Sequence, residues 1–104
     1  MTQLKNKILK IHPKDNIIVA LIDLKAGEVI THEGKEISLI TDVNKKHKFA
    51  NKNLDKGQDI YLYGVIVGKA TKQIKKGEAI NTQNISHHTQ EYYLPKSIKK
   101  ILSL

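Results

Sequence analysis

Apolar residues come along this chain in short bursts separated by lysine-rich polar turns, and few bursts carry a helical period. The segment KILKI at 7–11 alternates lysine with isoleucine and predicts a first strand. HPKD at 12–15 ends it, because Pro13 has no N–H to give a ladder. NIIVALIDL at 16–24 is β-branched and nearly all apolar, which predicts a buried strand. EVITHEGKEISLI predicts a hairpin, with a strand at 28–32, a turn at Glu33-Gly34 and a strand at 35–40. YLYGVIVGKAT at 61–71 predicts one long strand, with Tyr61, Tyr63, Val65 and Val67 along one face. Gly64 and Gly68 mark places where it bends or another backbone comes close.

One phrase recurs between these strands. DLKAGEVI stands at 23–30, NLDKGQDI at 53–60 and IKKGEAI at 74–80. Each has an apolar residue, two polar or small residues, glycine, an acid or amide, any residue, and isoleucine. The apolar residue is predicted to anchor in the core while the glycine turns the chain with a positive φ. A fourth copy runs from Val43 to Phe49, with Lys46 at the glycine position. A left-handed backbone there costs a lysine on the order of 1 kcal/mol. The spacings from Gly27 to Gly57 and from Gly57 to Gly77, 30 and 20 residues, are unequal. That excludes a solenoid and leaves a compact, strongly bent all-β domain over residues 1–85. The tail, 86–104, differs: Pro95 suits a first helical turn, and Ile98, Ile101 and Leu102 share a face. A short C-terminal helix is expected from Pro95, docked on this domain or on a partner, because such a helix is unstable alone.

Composition narrows the functional classes. At 104 residues the chain suits one domain. Without cysteine it has no disulfide or thiolate metal site. The longest apolar stretch, 17–22, is too short to span a bilayer and no signal peptide is visible, so a cytoplasmic protein without a membrane partner is expected. The net charge is +8, but the 18 basic residues are all lysine and are scattered among 10 acids. Without arginine the common bidentate contact to guanine is absent, which argues against a nucleic-acid partner. No HExxH, GxGxxG or nucleophile motif occurs.

Three segments in order, IHPKDNIIVALIDLKAGEVI, HKFANKNLDKGQDIYLYGVIVGKAT and IKKGEAINTQNI, carry a resemblance over roughly residues 8–85. They resemble the small SAF domain of the altronate and galactarate dehydratases, with sulfolactate sulfo-lyase small subunits close by. The resemblance implies a β-clip fold. It also implies a role as a small subunit or N-terminal-domain homologue beside a large catalytic dehydratase subunit, with the separate form expected from a chain of this length. The reaction implied is elimination of water from a sugar acid. The resemblance places a divalent metal in the large subunit and none on this chain. Self-association into a homo-oligomer is left open.

The resemblance also marks site residues. His12, Asp15 and Asn16 match the family's opening motif, with His12 a catalytic candidate and the other two substrate-binding. His47 is the second catalytic candidate, with Lys48 beside it to meet a substrate carboxylate. The family's closing His-Thr-His-Asn is here Asn81-Thr82-Gln83-Asn84, four substrate-binding candidates in which amides replace both histidines. Amides exchange hydrogen bonds but neither shuttle protons nor readily hold metals. A standalone module binding an anion or acidic carbohydrate, without catalysis, is the alternative.

Overall fold

The computed structural model describes residues 7–87, and in them the chain is all-β with no helix. The strands are β1 (Ile8–Leu9), β2 (Ile17–Ala20), β3 (Val29–His32), β4 (Lys35–Ser38), β5 (Lys48–Ala50), β6 (Asp59–Leu62), β7 (Val65–Ala70), β8 (Ala79–Ile80) and β9 (Ile85–His87). They form an antiparallel sheet in the order β1-β2-β5-β8, the hairpin β3-β4, and a sheet in the order β6-β7-β9. Hydrogen-bonded structure therefore continues past residue 85 to His87. The helix expected from Pro95 lies outside the described residues. Among those residues no helix is long and apolar enough to cross a membrane.

The four-stranded sheet is the middle layer, which explains the unbroken apolar run in β2. Ile17 and Val19 join a core with Ala50, Leu54, Ile60, Leu62, Val67, Ile74 and Ile80 on one face. Ile18 and Ala20 join a second core with Leu24, Ile30, Ile37, Leu39, Val43 and Phe49 on the other. Alternate residues of a strand point to opposite faces, so β2, covered on both sides, is apolar at every position.

The repeated phrase builds four corners that pair off. The anchors Leu24 and Val43 exchange both backbone hydrogen bonds, at 2.8 and 2.9 Å, and Leu54 and Ile74 do the same. All four anchors are buried. The third residue after each anchor has positive φ: Gly27 at 91°, Lys46 at 74°, Gly57 at 87° and Gly77 at 87°. The acid or amide that follows is also explained. Glu28, Gln58 and Glu78 each turn a side-chain oxygen back to accept the N–H of the residue after the anchor, at Lys25, Asp55 and Lys75. Residues before the anchors tie the corners together, since Asp42 accepts from Ala26 N–H and Asp23 from Lys45 N–H, both at 2.8 Å. Asn53 likewise accepts from Lys76 N–H.

The hairpin expected at Glu33-Gly34 is present, with φ of 52° and 76° at the two turn residues. The long strand expected over 61–71 is instead two. The chain reverses at Tyr63-Gly64, with φ of 60° and 77°, and Leu62 pairs with Val65. Tyr61 and Tyr63 therefore do not share a strand face. Two consecutive positive φ values suit a two-residue hairpin turn, but tyrosine is an unfavourable first residue for it. The cause is tertiary: the buried carboxylate of Asp15 accepts N–H groups of both Tyr63 and Gly64, at 2.9 and 2.8 Å.

Candidate functional site

The residues singled out in the sequence fall at two ends of the middle sheet. Lys48 pairs with Ile80 and Phe49 with Ala79, so one step back along β5 sets His47 across from Asn81. The other neighbour of His47 is Ala20, whose N–H donates to the His47 carbonyl at 2.8 Å. His47 is exposed, and so are Asn81, Thr82 and Gln83. His47 and the Asn81–Gln83 turn thus meet at one edge.

The corner that carries His47 departs from the other three. Lys46 replaces its glycine, and His47 stands where Glu28, Gln58 and Glu78 cap their turns. The imidazole makes no hydrogen bond among the described residues, so it has no part in capping the turn. The backbone turn closes nonetheless, through His47 N–H to the Asn44 carbonyl at 2.8 Å.

Asn81 and Asn84 have different duties. The Asn81 side-chain oxygen accepts the Gln83 N–H at 2.8 Å, forming a tight turn. Asn84 is buried; its oxygen accepts from Asn81 N–H and its NH₂ donates to the Ala79 carbonyl. Asn84 therefore holds the turn, while Thr82 and the Gln83 amide face outward. Lys48 lies between Val19 and Ile80 with 1% of its surface exposed, and is not at the surface beside His47.

The other end holds His12, Asp15 and Asn16. β2 runs from this end to the Ala20 end, so the two are separated by about four residues, or ~13 Å. Asp15 accepts a third backbone N–H, from His12 at 3.0 Å, and is 3% exposed. Asn16 fills the irregularity in the β6-β7 ladder: its oxygen accepts from Tyr61 N–H and its NH₂ donates to the Asp59 carbonyl. Their polar atoms are thus committed to the backbone. His12 is exposed, its Nδ1 accepts the Lys14 N–H at 3.1 Å, and its ring lies over Gly64, where an added Cβ would come within 2.9 Å of it.

A cavity of about 250 Å³ opens at this second end, between the 10–15 segment, the tip of the β3-β4 hairpin, Asn51-Lys52 and Lys76. Its lysines and His32 were not marked in the sequence, because they come from four separate segments and share no motif. Among the described residues no three His, Asp or Glu side chains gather as a cation site.

The described residues thus form a small antiparallel all-β domain with four paired turns and a histidine–amide edge. The chain belongs to the family described as the altronate/galactarate dehydratase SAF domain, whose model matches residues 6–88. It is similar to altronate dehydratase of Escherichia coli (strain K12), 37% identical over 91 residues, covering 84% of this chain and 18% of that protein. It is also similar to altronate dehydratase of Bacillus subtilis (strain 168), 31% identical over 86 residues, covering 83% of this chain and 17% of that one. The chain thus spans less than a fifth of the length of these relatives.

Proposed function

We propose that this domain serves a metal-dependent sugar-acid hydro-lyase of the altronate/galactarate dehydratase type, as a small subunit or an N-terminal-domain homologue. In this reading it completes the substrate site of a larger catalytic chain. The observation that carries the reading is the exceptional corner: His47 is released from turn capping and faces Asn81 at an exposed edge. The family relationship supports the reaction class.

Elimination of water breaks the C–H bond next to the carboxylate and the C–O bond at the neighbouring carbon. The C–H electron pair forms the double bond, and the hydroxyl leaves as water after taking a proton. An imidazole at the edge accepts the first proton or donates the second. Thr82 and Gln83 supply hydrogen bonds to substrate hydroxyls or carboxylate. In this reading the metal would be held by the larger chain. His12 is too far from His47 for both to act on one carbon pair, so His12 is assigned to positioning the Tyr63-Gly64 turn.

The test is a pull-down from the native cell, followed by dehydratase assays on altronate and galactarate with the large chain alone, this chain alone and both. Activity only in the combination is expected, with His47→Gln lowering kcat at least tenfold while the melting temperature holds. Full activity from the large chain alone would overturn the proposal.

A further inference from the structure

The cavity at the far end of β2 is lined by five lysines, Lys10, Lys14, Lys35, Lys52 and Lys76. Two acids share the lining. Asp15 accepts three backbone N–H groups, and Glu33 is largely exposed, 3.9 Å from the Lys10 ammonium. The cavity wall is therefore strongly positive. The Lys10 side chain is only 15% exposed, so its charge is poorly screened by bulk water.

A second observation is independent of the charge. His32 Nε2 is shut off from solvent and has no hydrogen-bond partner among the described residues. Its nearest acid, Glu33 Oε1, is 3.7 Å away, beyond hydrogen-bond reach. A buried polar atom left so is uncommon, and a group entering the cleft that His32 lines would supply a partner. Lysines from four separate segments line one concavity, and a concave wall of one charge sign focuses its field. The volume lies just below the ~300–1,000 Å³ usual for drug-sized ligands and suits a small molecule.

We infer that this cleft binds a small anion carrying two or more negative charges, as carboxylates or phosphate, with the lysines meeting the charge and His32 giving orientation. The site lies at the opposite end of the sheet from His47 and goes beyond the dehydratase reading. It needs no partner chain, so it stands or falls separately.

The experiment titrates the full chain with citrate and with inorganic phosphate at constant ionic strength, read by calorimetry and by the NMR signals of the His32 ring. Saturable binding at about 1 mM or tighter is expected, with the His32 signals moving along the same curve. Whichever anion binds more tightly identifies the ligand as carboxylate or phosphate. Lys14→Ala, Lys52→Ala and Lys76→Ala combined should weaken binding at least tenfold. Lys25→Ala, Lys45→Ala and Lys56→Ala, which remove the same charge outside the cleft, should change it less than twofold. Equal losses in the two triple variants would reduce the effect to bulk charge and overturn the site. So would the absence of saturation by about 10 mM, or His32 signals that stay still.

Discussion

The carboxylate of Asp15 accepts the backbone N–H of Gly64 at 2.8 Å, across a sequence separation of 49 residues. The same group holds Tyr63 N–H and its own neighbour His12 N–H. A hydrogen bond to a charged group contributes roughly 1.5–3 kcal/mol, and a buried donor left alone costs about 1–3 kcal/mol. Asp15→Ala should therefore lower stability by about 3 kcal/mol or more in urea unfolding. Asp15→Asn, which keeps an acceptor, should cost less. A loss under about 1 kcal/mol for the alanine variant would show that the turn does not depend on this carboxylate.

Tyr63 holds a positive φ that asparagine adopts more readily, and its side chain is exposed. Tyr63→Asn should raise stability by about 0.5–1 kcal/mol, because little packing is lost and backbone strain is relieved. A fall in the melting temperature would mean that the tyrosine ring makes a packing contribution larger than the strain.

The equivalent corner positions predict opposite outcomes. Lys46→Gly removes left-handed strain and should stabilise by up to about 1 kcal/mol. Gly57→Ala meets open space and should cost about 1 kcal/mol from φ alone. At Gly77 an added Cβ would collide with the Ser38 carbonyl, a backbone atom that cannot rotate away. Gly77→Ala should cost well over twice as much as Gly57→Ala, by chemical denaturation of the two side by side.

Asn84 and Gln83 are neighbours with different exposure. Both ends of the buried Asn84 amide are hydrogen-bonded, whereas Gln83 is exposed. Asn84→Ala should destabilise by about 2–3 kcal/mol, and Gln83→Ala should stay within about 0.5 kcal/mol. On the proposed dehydratase reading the order should reverse for substrate KM, which does not depend on the amount of folded protein, with Gln83→Ala raising it severalfold. Unchanged kinetics for Gln83→Ala would remove that side chain from the substrate site.

The sequence alone determined the corners and their chemistry. Glycine at the turn, an apolar anchor before it and an acid or amide after it are local requirements, and each is met within five residues of chain. The apolar run of β2 and the Glu33-Gly34 turn are likewise written in consecutive residues. Tertiary structure decided what depends on distant groups. The reversal at Tyr63-Gly64 needs Asp15, and no local preference of tyrosine announces it. The candidate residues at 12–16 look alike in kind to those at 47 and 81–84, yet the sheet holds the two sets about 13 Å apart. Lys48 follows His47 directly, but Lys48 lies within a sheet covered on both faces while His47 stands in the exposed corner just before the strand. The lysine-lined cleft was silent in the sequence, because scattered charges become a site only when folding brings their segments to one wall.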